Sequence, residues 1–557
     1  MNARTRRALP LAVGCATIAG LALGGCTPGA RDDAGTQAAD GMIPYVQLGD
    51  FGGGSSPQVN YNPFSANRLG PMWAIYDTLM TVNGYDCSET PQLATAYEWV
   101  TTSEMHLTTR EGVTWNDGEP FTAADVAYTF NVIKDNPALD LTGLAAHLVS
   151  AEATSDTEVV LKFDAPTSYD TAKILGTFIV PEHVWSEVDD PVTYTAEEAV
   201  GTGMFTVKSF TPQRLTVEKN PDYWDADAVK VAEVRFIKDG EPQINQLNLS
   251  KGMYDAQYMY VPDIEDTFVA ADPEHHGYWF APGSPISLYM NNAKPPFDDV
   301  AFRAAIMHGI DKETLVKQAG EGYTTVASQT SLVVPGMEEW LDPSIENKGV
   351  IEYDLERADA MLTEAGYETD AEGRRLGKDG QPMAFELITP QGWDDWTRAA
   401  GEVEGDLEDL GIDVTVNTPQ YETLEVERRQ GNYDLTFGVR GGTCSMFQNF
   451  DEPLNSANTA PVGQDATTNE SRFADPEVDA LLEQLRSAAT EEDQKPVVAE
   501  LSNAMIEKVP FIPIWYGARW FEYNTSRAEG WPTEDDPYAA ASDNTIIFKR
   551  LTPADGQ

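Results

Sequence analysis

Three segments of the chain carry the hydrophobic spacing of amphipathic helices. Thr122 and Asp125 form a capping box, and Val126, Phe130 and Ile133 follow on one face. A second helix is predicted after Pro296, with Val300, Ala304 and Met307 in register. A third is predicted from the cap Asp354 to the stop at Gly366, with Leu355, Ala358 and Leu362 along its face.

Short β-like runs separate these helices. Residues 414–416 (VTV) and 433–435 (YDL) have the character of strands that enter or leave a sheet, and residues 115–120 (WNDGEP) predict a tight turn on Asp-Gly. Helices and strands alternate without a low-complexity break. The pattern predicts mixed α/β layers, with several sheets that have helices on their faces.

The first 26 residues have the layout of an export signal. Arg4, Arg6 and Arg7 precede a largely apolar run from Leu9, which ends in residues 23–26 (LGGC). This ending resembles the bacterial lipoprotein pattern, in which the cysteine is lipidated after cleavage, although an ordinary secretory signal has a similar layout. We expect a signal peptide over 1–25, a lipidated Cys26 and a flexible tether over 26–41. No later run reaches the ~18 apolar residues of a membrane-spanning helix.

Charge and cysteine content narrow the possible partners. The formal net charge is −53 at pH 7, which repels phosphate backbones, so we expect no nucleic-acid partner. Of the four cysteines, Cys87 and Cys444 remain after Cys15 is removed and Cys26 is lipidated. In an oxidising compartment these two either form a disulfide or stay free thiols, and the sequence leaves both alternatives open.

The common catalytic signatures are missing from the sequence. It has no H-E-x-x-H, C-x-x-C or G-x-S-x-G motif, and Gly373–Lys378 falls one residue short of a P-loop. We therefore expect no catalytic residues, no metal and no cofactor. An exported hydrolase that uses a carboxylate pair stays open as an alternative, because 90 acidic residues offer many such pairs.

A series of motifs resembles the family 5 extracellular solute-binding proteins of ABC importers, the class that takes peptides, nickel or oligosaccharides. The motifs lie at residues 91–98 (PQLATAYE), 109–126 (TREGVTWNDGEPFTAADV), 201–205 (GTGMF), 220–224 (NPDYW), 289–300 (YMNNAKPPFDDV) and 509–514 (VPFIPI). Together they span the chain after the leader.

The resemblance implies a two-lobed α/β fold of the periplasmic-binding-protein kind, in its large cluster C form, with an extra domain and a ligand cleft between the lobes. It implies lobe I at 42–77, 202–285 and 510–557, an accessory domain II at 78–201, and lobe II (domain III) at 286–509. It also implies a monomer that gives a small ligand to a membrane permease. Together with the leader, this predicts a lipid-anchored protein on the extracytoplasmic face of the cell membrane.

Two segments favour an oligosaccharide over a peptide as the ligand. Residues 390–396 (PQGWDDW) and 530–539 (GWPTEDDPYA) resemble motifs of the branch that binds β-linked sugars such as cellobiose. Around Arg440 the sequence departs from the peptide-binding pattern, which holds the ligand ammonium with an aspartate, and Asp451 is the alternative for that role. The predicted ligand contacts are Trp393, Asp394, Trp396, Arg440, Trp515, Tyr516 and Trp520, although large aromatic residues also fill protein cores.

Overall fold

The structure is a computed structural model, and it describes residues 41–49, 57–334 and 336–554. The expected signal peptide, Cys26 and nearly all of the tether lie outside the described residues. Among the helices of these ranges, none combines the length and the apolar composition that a membrane-spanning helix requires.

The strands of the described residues are, in chain order, β1 (Val46–Gly49), β2 (Met80–Val82), β3 (Glu89–Pro91), β4 (Ala94–Thr101), β5 (Glu104–Thr109), β6 (Leu148–Ala153), β7 (Glu158–Phe163), β8 (Phe205–Thr211), β9 (Arg214–Lys219), β10 (Glu233–Ile237), β11 (Ala256–Gln257), β12 (His276–Tyr278), β13 (Ala281–Met290), β14 (Ala384–Ile388), β15 (Asp413–Asn417), β16 (Leu435–Val439), β17 (Ile512–Arg519), β18 (Glu522–Asn524), β19 (Ala528–Glu529) and β20 (Thr552–Pro553).

The α-helices of the same residues are α1 (Met72–Ile75), α2 (Ala123–Asp135), α3 (Thr171–Leu175), α4 (Glu182–Trp185), α5 (Pro242–Ser250), α6 (Ile264–Thr267), α7 (Val300–Gly309), α8 (Lys312–Ala319), α9 (Leu355–Glu364), α10 (Asp394–Asp409), α11 (Tyr421–Gln430), α12 (Met446–Leu454), α13 (Pro476–Ser487), α14 (Glu491–Lys508) and α15 (Asn544–Arg550).

Three larger sheets organise the chain. The first has seven strands in the order β12-β18-β11-β1-β10-β9-β8, and α1 and α15 share its hydrophobic core. The second has five strands in the order β15-β14-β16-β13-β17, with α7, α9 and α10 in its core. The third is the antiparallel sheet β4-β5-β7-β6, which packs against α2. We use "first lobe", "second lobe" and "accessory domain" for the residues around these sheets, in that order.

Two neighbouring strands connect the first lobe to the second. The chain passes from β12 in the seven-stranded sheet almost directly into β13 of the five-stranded sheet. It returns from β17, the antiparallel partner of β13, into β18 of the seven-stranded sheet. Although β17 falls in a segment predicted for lobe I, it pairs within the five-stranded sheet. The predicted domain boundaries remain predictions.

The three predicted helices are confirmed, with one corrected face. Thr122 and Asp125 form the capping box of α2, and the carboxylate of Asp354 caps α9. In α7 the predicted stripe is wrong, because Val300 is exposed and Ala304 only half-buried. The buried positions are instead Phe302, Ala305, Ile306 and Gly309, together with Met307 as predicted, Arg303 and His308. The predicted strand at 414–416 lies in β15, whereas β16 begins only at Leu435.

Candidate ligand-binding site

A cavity of about 870 Å³ opens where the first and second lobes meet. Its floor is formed by the connecting strands, through Ile286 of β13 and Trp515 and Gly517 of β17, and by Val439 at the end of β16. Trp515 is buried, and its ring meets Phe437 edge to face at 5.9 Å. The floor therefore belongs to the five-stranded sheet, and the walls come from elements on either side of it.

One wall is built at the N-terminus of α10. Buried residues at helical spacing, from Trp396 to Leu407, hold this helix on the second-lobe core. Trp393 directly precedes the helix and stacks on Tyr421, with ring centroids 5.3 Å apart and planes 16° apart. It also meets Trp396 edge to face at 4.9 Å, yet 40% of its surface stays exposed. An oriented indole is therefore available at the cavity wall.

The facing wall comes from the first lobe. Trp520, which lies between β17 and β18, packs against Phe280 at 4.7 Å and against Tyr260 at 5.2 Å, both edge to face. Tyr260 and Pro262, which follow β11, also line the cavity. Aromatic side chains therefore line the cavity from both lobes.

A short polar chain joins the two lobes at the rim. The hydroxyl of Tyr260 donates to Oε1 of Glu321 at 2.5 Å. Arg398 of α10 donates to the same oxygen at 3.4 Å and to the carbonyl of Ala319 at 3.0 Å. Burial, then the bond to Glu321, raises the pKa of Tyr260 to about 12, so the phenol stays protonated and remains a donor.

Other charged groups line the cavity. Asp394 and Asp395 lie in the first turn of α10, where the helix dipole favours negative charge. Burial raises the pKa of Asp395. Burial also lowers the pKa of Arg519, while the charge of Asp543 acts in the opposite direction. The site therefore combines aromatic faces with carboxylates and a guanidinium, which can bind hydroxyl groups.

Five of the seven predicted contacts line this cavity: Trp393, Asp394, Trp396, Trp515 and Trp520. Tyr516 lies outside it, because its hydroxyl donates to the carbonyl of Leu332 and accepts the backbone N–H groups of Ser328 and Val334. Arg440 also lies outside the lining, and its guanidinium pairs with the buried Glu470 at 3.3 Å.

Sequence reasoning missed Tyr260, Glu321 and Arg398. Tyr260 and Glu321 both lie far before the PQGWDDW segment in the sequence, and no motif marks either of them. Arg398 carried a weak signal, since it lies five residues after Trp393 on the helix that this segment begins.

The structure joins Cys87 and Cys444 in a disulfide, with Cα atoms 5.3 Å apart. Of the two alternatives that the sequence left open, it therefore contains the bridge. Among the described residues, no group of three or more His, Cys, Asp or Glu side chains is arranged to hold a metal ion.

A protein-family model matches most of the chain. Residues 89–460 match the model of "Bacterial extracellular solute-binding proteins, family 5 Middle", which is more than half of the chain. The chain belongs to the family 5 bacterial extracellular solute-binding proteins. Members of this family are non-enzymatic binding proteins of transporters. This chain is a substrate-binding protein of an ABC transporter, and it works outside the cytoplasm.

Individual relatives agree with the family assignment. The chain is 26% identical to "Protein XP55" of Streptomyces lividans over 547 residues, covering 95% of this chain and 94% of that protein. A solved structure of a periplasmic oligopeptide-binding protein of an oligopeptide ABC transporter from Thermotoga maritima superposes with a TM-score of 0.78 at 25% identity, covering 91% of this chain and 99% of that one.

A second structure of the Thermotoga protein is described as bound to mannohexaose. It superposes with a TM-score of 0.68 at 25% identity and covers 92% of this chain and 99% of that one. These likenesses confirm the two-lobed α/β periplasmic-binding-protein fold that the motifs predicted.

Proposed function

We propose that this substrate-binding protein captures a short oligosaccharide, β-linked and cellobiose-like, by hinge closure of its two lobes and delivers it to its ABC permease. The observation that carries the proposal is the cavity with aromatic side chains on two facing walls, Trp393 on one and Trp520 with Tyr260 on the other. A pyranose ring has an apolar C–H face that packs flat on an indole, while carboxylate, amide and guanidinium groups bind its hydroxyls.

The size of the cavity supports an oligosaccharide. Its volume of about 870 Å³ lies near the upper end of the range of roughly 300–1,000 Å³ that small-molecule sites occupy. Asp394, Asp395 and Arg398 supply polar groups beside Trp393. A related protein of similar fold, the one from Thermotoga maritima, has been solved with mannohexaose, which supports the sugar class without fixing the linkage.

An oligopeptide is the alternative ligand, since the same Thermotoga protein is described as oligopeptide-binding. The candidates for an ammonium site argue against it. Asp451 accepts the side-chain amides of Asn455 at 2.6 Å and Asn458 at 3.0 Å, so its carboxylate already has partners. Arg440 lies outside the cavity lining, pairs with Glu470 and carries no acceptor, so it does not supply a site for a ligand ammonium.

Calorimetry on the purified protein distinguishes the two ligands. We expect saturable binding of cellobiose, xylobiose or mannohexaose at about micromolar dissociation constants, and no binding of di- to pentapeptides. Saturable binding of peptides alone would overturn the sugar proposal and leave the family assignment intact.

The indole of Trp393 gives the sharpest test of the site. Trp393→Ala should weaken sugar binding by roughly tenfold or more, as for a central aromatic anchor. The matched control is Tyr353→Ala, since Tyr353 is also 40% exposed but does not line the cavity. Equal affinities of the Trp393→Ala variant and the wild type would remove Trp393 from the site.

We also propose that Cys26 carries the lipid that holds the receptor beside its permease. The support is the LGGC sequence after a short apolar run. Cys26→Ala should move the protein from the membrane fraction to the medium or the soluble fraction. A variant that stays with the membrane would count against a lipid on this cysteine.

An exported hydrolase is the less favoured alternative. Incubation of the protein with the same oligosaccharides should give no shorter products, because the protein binds and releases its ligand unchanged. Turnover that scales with protein concentration would contradict a purely transporting role.

A further inference from the structure

The loop between β2 and β3, residues 83–88, touches both lobes beside the cavity; we call it the strap. One end is held by the first lobe. The side-chain amide of Asn83 donates to the carbonyl of Tyr538 at 2.8 Å, and the N–H of Gly84 donates to Oδ2 of Asp543 at 2.9 Å. Asp543 directly precedes α15, whose Ile547 and Phe548 lie in the first-lobe core.

The other end of the strap is held covalently by the second lobe. Cys87 forms the disulfide with Cys444, which lies between β16 and α12. The carbonyl of Tyr85 lies so close to Gly336 that a Cβ added there would be 2.1 Å from it. This contact also places the strap directly against the second lobe.

Neighbouring contacts extend the same junction between the accessory domain and the second lobe. The hydroxyl of Ser445 donates to the carbonyl of Tyr169 at 2.8 Å, and the amide of Gln448 donates to Asp170 at 3.0 Å. Tyr169 also packs on Phe447 at 4.5 Å between ring centroids. The disulfide is therefore part of a continuous contact.

We propose that the strap, locked by the Cys87–Cys444 disulfide, limits how far the two lobes separate when the cleft is empty. The proposal rests on the proposed function only in that the protein binds by opening and closing its cleft. In a two-lobed protein connected by β13 and β17, the strap is an additional link between the two lobes, and it lies beside those strands: a Cβ added at Gly84 would be 2.9 Å from the guanidinium of Arg519 at the end of β17.

Covalent geometry sets the limit. A disulfide keeps its two Cα atoms within about 7 Å, and the three residue steps from Gly84 to Cys87 span at most about 11 Å. The Cα of Gly84 therefore cannot lie more than about 18 Å from that of Cys444, and the hydrogen bond from Gly84 to Asp543 passes this limit on to the first lobe. Widely open states are thereby removed from the empty receptor.

A restricted opening has a direct consequence for binding. An empty receptor that samples fewer open states loses less conformational freedom when a ligand closes it. The fraction of molecules near the closed geometry is also larger, and apparent affinity rises with that fraction. The strap therefore raises affinity without touching the ligand.

The test measures the opening of the mature, ligand-free chain. Dyes attached through unnatural amino acids at the exposed Ile244 of the first lobe and Tyr353 of the second report the distance between the lobes. In the double variant Cys87→Ser with Cys444→Ser, this distance should become longer and its distribution broader than in the wild type. Identical distributions would overturn the proposal.

Reduction of the wild type supplies a second measurement on unmutated protein. A phosphine reductant should shift the folded wild type toward the distribution of the double variant and leave the double variant itself unchanged. Titration of the free thiols shows that the disulfide has been reduced. If the distance distribution of this reduced wild type does not shift, the proposal is overturned, even if the double variant folds poorly.

Ligand binding is measured separately from the distance between the lobes. A negative result for sugar binding is therefore distinguishable from a negative result for the strap. With mannohexaose as probe, the double variant should bind roughly threefold or more weakly than the wild type, through loss of the near-closed population. A wider opening without any sugar binding would support the strap and contradict the sugar. An unchanged distance between the lobes together with intact sugar binding would support the sugar proposal and contradict the strap.

Discussion

The carboxyl group of Asp406 is held in an environment that favours its protonated form. Burial raises its pKa to about 7, and the charges of Asp311, Glu402 and Asp409 act in the same direction. The N–H of Asp311, which donates to Oδ2 at 2.9 Å, opposes the shift without cancelling it. In the unfolded chain the same group ionises near pH 3.9. The free energy of unfolding therefore decreases as pH rises from about 4 to 7, because the unfolded chain releases this proton more easily than the folded one. Above pH 7 this decrease stays constant.

Asp406→Asn should remove this pH-dependent loss, because the amide keeps an oxygen for the N–H of Asp311 but does not ionise. We expect a gain of about 1–2 kcal/mol in the free energy of unfolding at pH 8 and little change at pH 4. Denaturant unfolding at both pH values checks this. Glu408→Gln is the control, since Glu408 is exposed on the same helix and is not one of the charges that raise the pKa of Asp406. Equal effects of Asp406→Asn at pH 4 and pH 8 would contradict the assigned pKa.

At the scale of elements, Arg303 ties two helices of the second lobe together. It lies in α7, is 5% exposed, and donates to the carbonyls of Lys508 at 2.6 Å, Val509 at 2.7 Å and Phe297 at 2.7 Å. Lys508 ends α14, and Val509 follows it with a left-handed φ of 43°. The guanidinium thus satisfies carbonyls that a helix C-terminus leaves without partners.

Arg303→Lys should destabilise the second lobe by about 2–4 kcal/mol, because an ammonium cannot reproduce the planar arrangement of three donors. The midpoint of thermal unfolding should fall, and Arg357→Lys on the exposed surface of α9 should leave it unchanged. An unchanged midpoint in the Arg303 variant would show that water or other groups replace these bonds at little cost.

The elements also show what the sequence can and cannot predict. The capping residues of α2 and α9 are local signals, and both helices begin where those residues predict. The buried face of α7 is set by its neighbours: a Cβ at Gly309 would lie 2.6 Å from Leu410, so α7 packs closely there. That requirement is tertiary, and the spacing of Val300 and Ala304 does not contain it.

The same limit applies to the cavity. Motifs or local sequence context marked Trp393, Trp396 and Trp520 as ligand contacts, and all three line the cavity. Tyr516 looks equivalent in sequence, but alternation along β17 places Trp515 and Tyr516 on opposite faces. Tyr260 reaches the site only because the first lobe faces α10, which depends on how the sheets are joined.

At the scale of the whole molecule, the bond from Tyr260 to Glu321 is a contact between lobes. Tyr260 follows β11 of the seven-stranded sheet, and Glu321 follows α8 of the second lobe. Because Glu321 also accepts from Arg398, the phenol completes a charge-assisted chain across the mouth of the cavity. A contact of this kind favours arrangements in which the lobes lie close together.

Tyr260→Phe keeps the aromatic ring beside Trp520 and removes only the hydroxyl. We expect the affinity for the sugar ligand to fall roughly three- to tenfold, since an exposed charge-assisted bond contributes less than a buried one. Calorimetry with mannohexaose measures the change in affinity, and small-angle scattering of the empty protein should show a larger radius of gyration, because the lobes lose a contact that keeps them close.

Tyr278→Phe is the matched control, because the hydroxyl of Tyr278 also donates to a glutamate, Glu265, at 2.8 Å, but both residues lie in the first lobe. Its loss should leave affinity and radius of gyration unchanged. If both variants weaken binding equally, the effect comes from the first lobe itself rather than from the bond that joins the lobes. If neither variant weakens binding, the hydrogen bond from Tyr260 to Glu321 does not contribute to affinity, and the aromatic walls and the strap account for the closed arrangement.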